Sequence, residues 1–189
     1  MRNFQQMPAL EFYSRAFCRL NRATKNGIKT PHKPILLLSI IQAMNEGEIT
    51  ENNIEISPLL VARFKDNWNA LVHQDFFKPN FSLPFYHLTS DKFWHLKTWL
   101  GKEIVLTSSA SIRSFTQLKE VIAYGYFDEA LFELLTIKES RDYLYHLLLQ
   151  KYFNLQQVNY LRSSLFNQSK AEILHEPASS YQRIIEQAD

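Results

Sequence analysis

Apolar residues recur at Leu10, Phe12, Tyr13, Ala16, Phe17 and Leu20, the spacing of one helical face, and predict a helix over residues 9–20. The stretch 21–30 loses that period, carries Asn26-Gly27 with Lys25 and Lys29, and reads as an exposed basic loop. From Pro34 to Asn45 the chain is apolar on nearly every side, which predicts a buried helix closed by Gly47. Pro34 suits its first turn, where a missing N–H costs nothing. Alternation in 48–50 and 53–56 predicts a short pair of strands across Glu51-Asn52. Ser57 can cap the next helix and Pro58 can open it, with Leu59, Leu60, Phe64, Trp68 and Leu71 as its apolar stripe.

Residues 85–88 and 92–96 flank the turn-forming pair Ser90-Asp91, so a β-hairpin is predicted there. Three helices follow at 114–124, 128–135 and 138–152, with Ser114 to Gln117 and Thr136 to Glu139 as capping signals. Residues 154–170 are rich in Asn, Gln and Ser without a period, and 171–188 read as a last exposed helix interrupted at Pro177. Helix, small strand, helix, hairpin is the order of a winged-helix DNA reader. The expected fold class is therefore mainly α with a small antiparallel β component, a winged-helix-like α+β DNA-binding domain plus C-terminal helices. Residues 1–170 would form the recognition domain, and 171–189 a C-terminal helix or linker.

Composition agrees with a folded domain: 46% of residues are hydrophobic, 14% aromatic, and only 4 are glycine. Cys18 is the only cysteine, so neither an intrachain disulfide nor a cysteine zinc cluster can form, and its place on the first helix's apolar face predicts a core thiol. No run of about 18 apolar residues is present, and the N-terminus lacks a signal's apolar stretch, which predicts a cytoplasmic protein with no membrane partner. The net charge of +2 hides a segregation. Residues 1–40 carry seven Lys and Arg against Glu11 alone, and 61–102 are again basic, whereas 41–60 hold four glutamates and no base. Two basic blocks of this kind suit a polyanion.

Those blocks contain two proline corners. In Thr30-Pro31-His32-Lys33-Pro34, a histidine and a lysine project from a helix start, whose backbone N–H groups favour an anion. In Phe81-Ser82-Leu83-Pro84-Phe85-Tyr86-His87-Leu88, the Pro84 ring lies beside Leu83, Phe85 and Tyr86, with His87 close behind. Together they fit a ligand that is anionic yet partly apolar. Catalytic spacings are missing: no His-x-x-x-His, His-Glu-x-x-His, Asp-x-Asp or Cys-x-x-Cys occurs, and no Gly-rich phosphate loop. No catalytic residue, metal or cofactor is expected. His87 and His95, on opposite arms of the predicted hairpin, would make a structural pair at most.

The run Pro31 to Leu38, followed about fifty residues later by Leu83-Pro84-Phe85-Tyr86-His87-Leu88 and Phe93-Trp94-His95-Leu96, resembles the sulfur-binding domain of modification-dependent HNH restriction endonucleases. Phe127 to Leu135 continues the likeness, which spans residues 12 to 181. The resemblance implies a non-enzymatic module that binds phosphorothioated double-stranded DNA, in a parent protein carrying an HNH nuclease beyond residue 189. It also implies a sulfur cup made of His32, the stem of Lys33, Leu83 with a neighbouring backbone N–H, Pro84 and His87. Lys29, Thr30, Lys78, Asn80 and Ser82 would contact flanking phosphates or bases. This chain departs from the pattern at Leu83, where some members have an aromatic residue, at Lys33, where some have arginine, and at His87, where a smaller residue is expected. A winged-helix-like module for unmodified DNA and a helical protein-interaction domain remain the alternatives.

Overall fold

The helix α2 (His32–Asn45) is buried from Lys33 to Met44 and forms the centre of the computed structural model, which describes residues 6–102, 112 and 114–153. Pro31 caps its start, and Gly47, at φ +75°, turns the chain left-handed past its end. There the amides of Gly47 and Glu48 bond back to the carbonyls of Met44 and Ala43, a Schellman closure. Four elements pack on α2: α3 (Pro58–Leu71), α4 (Ser82–His87), α6 (Glu129–Thr136) and α7 (Lys138–Tyr152). The first helix, α1 (Gln6–Cys18), lies against α6 and α7.

A neutral polar network crosses this core. The side-chain amides of Gln42 and Asn67 bond each other in both directions, at 3.2 and 2.7 Å. Asn67 also donates to Ser39 Oγ at 2.9 Å, and Gln42 to Tyr145 Oη at 3.0 Å. These bonds fix the register of α2 against α3 and α7, since an amide left unpaired in a buried site costs about 1–3 kcal/mol.

Two small antiparallel sheets complete the domain. β1 (Thr24–Lys25) and β2 (Ile28–Lys29) form a hairpin over Asn26-Gly27, both at positive φ, inside the stretch read as a loop. The second sheet has the order β3 (Ile54–Glu55), β5 (Ile122–Phe127), β4 (Trp94–Thr98), with α5 (Phe115–Val121) leading into β5. Gly125 of β5 must lack a side chain, because a Cβ there would run into the Trp94 indole.

The class expected from the sequence, mainly α with a small antiparallel β part, is the one observed. Several local expectations are corrected. Residues 48–50 do not pair with 53–56: Asn52 bonds both the amide and the carbonyl of Phe127 at 2.9 Å, and draws β3 onto β5 instead. The wing is likewise assembled from β4 and β5 and not from 85–88 and 92–96. Residues 85–87 belong to α4, and Leu88–Asp91 make a 3₁₀ turn. The helix expected over 114–124 stops at Val121, although Ser114 Oγ caps it through the Gln117 amide as anticipated. Ser57 caps α3 in the same way, but Leu59 faces solvent. The expected unperiodic stretch 154–170 and last helix 171–188 lie outside the described residues. Among the described residues no helix is long and apolar enough to cross a membrane.

Candidate nucleic-acid interface

Helix α4 is short and aromatic, and three contacts hold it. Asn80 Oδ1 accepts from the amides of Ser82 and Leu83 at 3.0 and 3.3 Å, satisfying two donors of the first turn. Phe81 packs on Phe85 with ring centroids 5.3 Å apart, and the Trp94 indole N–H donates to the Phe85 carbonyl at 2.9 Å. Helical spacing then puts Leu83, Pro84 and His87 on one face. Opposite stands the first turn of α2, with Thr30 just before it. Between them lies a cavity of about 470 Å³, lined by Thr30, His32 and Lys33 from the first proline corner and Leu83, Pro84 and His87 from the second. Asn21, Arg22, Ala23 and Ser90 complete its lining.

Lys33 is more committed than the sequence indicated. Its ammonium donates to Asp91 Oδ2 at 2.6 Å and Ser90 Oγ at 2.8 Å. The two charged side chains are 8% and 5% exposed. Asp91 in turn accepts the Asn21 amide at 2.6 Å, and Ser90 donates to the His87 carbonyl at 3.0 Å. One buried ion pair thus ties the start of α2 to the end of α4 and the loop after α1. It leaves the aliphatic stem of Lys33, not a free cation, for the cavity wall.

Both cavity histidines have their pKa values lowered. His32 stacks on Trp68 at 4.6 Å, and its Nε2 faces the Lys78 carbonyl at 3.0 Å; a carbonyl only accepts, so that nitrogen carries the proton. Burial lowers the His32 pKa, partly offset by the Lys78 carbonyl and reinforced by Lys25. For His87, burial comes first and the Lys33 ammonium second, both lowering it. With pKa values below the ordinary 6.5, both rings are mainly uncharged at neutral pH.

The other residues singled out from the sequence divide by exposure. Lys29 and Lys78 are exposed; Lys29 Nζ donates to the Arg22 carbonyl at 3.4 Å. Thr30 is half-buried. Asn80 uses its carbonyl oxygen to start α4, and the same bond occupies the Leu83 amide. Ser82 is buried, at 2% exposure. His95 pairs with Asp128 at 2.6 Å, not with His87, and Asp128 also accepts from Tyr13, whose phenol burial and that carboxylate push up to about 12. No group of three His, Cys, Asp or Glu able to hold a metal occurs among the described residues.

Sequence reasoning missed Arg22 and Asp91. Arg22 stacks over the Tyr152 ring at 4.5 Å and donates to the Thr30 carbonyl at 3.4 Å. Its only sequence signal was membership of the basic block. Asp91 looked like a turn residue, and nothing local marks its pairing with Lys33.

The domain is mainly helical with a small sheet, and the starts of α2 and α4 meet at a cavity lined by both polar and apolar side chains. The family model described as ScoMcrA-like, DNA sulfur-binding domain, matches residues 13–168, and the chain belongs to that family. It is accordingly a module for binding sulfur-modified DNA. No curated protein matched the chain.

Proposed function

We propose that the cavity between α2 and α4 accepts the sulfur of a phosphorothioate in duplex DNA, and that the domain serves a modification-dependent restriction endonuclease as its recognition module. One observation carries this reading: two motifs about fifty residues apart in sequence converge on a single cavity. A phosphorothioate keeps its negative charge but presents one large, polarisable, weakly hydrated atom. Against the Pro84 ring, Leu83 and the Lys33 stem, that atom loses little on leaving water. A phosphate oxygen in the same place would be an unpaired acceptor, at a cost of about 1–3 kcal/mol. That difference is the source of selectivity. Thr30 in the cavity lining, Lys29 next to it in sequence and Lys78, whose carbonyl meets His32, would hold flanking phosphates, a sequence-independent contribution that weakens with salt. Asn80 retains only its amide N–H group for such a contact.

Pro84→Ala should reduce affinity for a sulfur-bearing duplex about tenfold, the equivalent of about 1.4 kcal/mol, and leave binding to the matched oxygen duplex unchanged. Equal loss on both would assign Pro84 to the fold. Cleavage belongs to the nuclease part of the proposed parent protein, so this chain incubated with phosphorothioated plasmid and Mg²⁺ should leave it intact while still shifting its mobility. Cleavage abolished by a chelator would contradict the recognition-module assignment.

A further inference from the structure

We infer that Arg22, more than Lys33, supplies the positive charge that the modified phosphate meets, because Lys33 is already engaged by Asp91 and Ser90, and Asp91 offsets part of its charge. This rests on the proposed reading of the cavity and adds two residues to it, a phosphate ligand and a specificity determinant.

An ammonium has three donors. In Lys33 two of them go to Ser90 Oγ and Asp91 Oδ2, and the carboxylate is held from its other side by the Asn21 amide. Since both side chains are almost completely buried, little solvent separates the two charges, and a phosphate approaching Lys33 meets Asp91 as well. The pair acts as a small dipole. Arg22 differs in each respect. It lines the same cavity, next in sequence to Asn21, and has no carboxylate partner among the described residues. Of its five N–H donors, one makes a long bond to the Thr30 carbonyl, and the Tyr152 ring supports the guanidinium plane. A supported guanidinium whose only hydrogen bond among the described residues is the one to Thr30 suits the remaining non-bridging oxygen of a phosphorothioate.

The division of labour follows. The wall of Leu83, Pro84 and the Lys33 stem favours sulfur, while the Arg22 guanidinium offers charge to a hydrated oxygen. Asp91 enforces that division. With Asp91 neutral, Lys33 would become a buried cation that attracts oxygen and sulfur alike, so affinity would rise and discrimination fall.

The test is the slope of log affinity against log salt, measured on matched duplexes with and without one sulfur. Arg22→Gln should flatten the slope by about 0.9, the value of one phosphate contact, and lower affinity about tenfold. Asp91→Asn should steepen it by about 0.9 and tighten the oxygen duplex more than the sulfur duplex. Lys33→Met combined with Asp91→Asn removes both charges and keeps the stem, so its slope should match the wild type. Thermal unfolding establishes which variants are folded, and Arg22→Gln and the double variant suffice if Asp91→Asn is not. A wild-type slope for Arg22→Gln, or a flattened slope for the double variant, would overturn the assignment. Failure of the wild type to distinguish sulfur from oxygen would refute the sulfur reading instead, and the slopes would still decide which cation meets the phosphate.

Discussion

The middle of α2 and its first turn both bury polar groups, but in opposite ways. Ser39, Gln42 and Asn67 are neutral and bond one another reciprocally, so the interior network can hold helices in register without any charge being desolvated. At the mouth, Lys33 and Asp91 are charged, and their burial is tolerable only because each has the other. Neutral amides suffice where the sole task is packing. A buried ion pair beside the proposed ligand site also determines what charge the ligand feels, a quantity that neutral groups cannot set.

The largest expected effect lies at the mouth. Lys33→Met leaves Asp91 buried and unpaired and should destabilise the fold by about 3–5 kcal/mol, read from denaturant midpoints. A loss below about 1 kcal/mol would mean that Asp91 finds water or another donor, and that the mouth is as forgiving as an exposed site. Next comes the interior: Asn67→Ala takes from Gln42 Oε1 its Asn67 donor and should cost about 1–3 kcal/mol. Discrimination between sulfur and oxygen duplexes by the folded protein should be untouched. A change in selectivity would show that the two ends of α2 are coupled.

Acid separates the two regions more gently. His32 and His87 have folded-state pKa values below the ordinary 6.5, through burial first, whereas the interior network contains nothing that titrates near neutrality. Above that value both rings are neutral, folded or unfolded. As pH falls through it the unfolded chain takes up protons first, so stability declines until the lowered folded values are passed and is constant below them. DNA affinity should move the opposite way, because a protonated ring at the cavity attracts the phosphate and bound anion favours that proton. Unfolding midpoints and binding curves from about pH 7.5 to about pH 5 check both signs. Parallel changes in stability and affinity would mean that the histidines do not face the bound DNA.

How much of this was legible in the sequence depends on where each partner lies. The helices α1, α2, α3, α6 and α7 follow from apolar periodicity, and the caps at Ser57 and Ser114 from short-range spacing. Helix α4 was hidden because Leu83, Phe85 and Tyr86 flank a proline and look strand-like. It exists through Asn80 at its start and the Trp94 indole on its last carbonyls, and the second of these is a tertiary bond. β5 was absorbed into the preceding helix because Ile122 to Tyr124 carry no polar break, and the need for Gly125 becomes visible only once Trp94 lies on it. The two motifs were readable as a pattern, and Thr30, His32, Lys33, Leu83, Pro84 and His87 from them line one cavity. The charge state of that cavity was not readable, since Asp91 reaches Lys33 across 58 residues of sequence.

The central claim concerns one atom in one position, so its most direct measurement changes only that atom. The wild-type domain should be titrated with three duplexes identical except at a single phosphate: all oxygen, sulfur at one non-bridging position, and sulfur at the other. A cavity on one side of the backbone reaches only one of those positions. One diastereomer should therefore bind at least about tenfold more tightly than the oxygen duplex, a difference of about 1.4 kcal/mol, and the other no better than oxygen. Equal affinity for all three, or equal enhancement by both sulfur positions, would contradict recognition by the cup between α2 and α4.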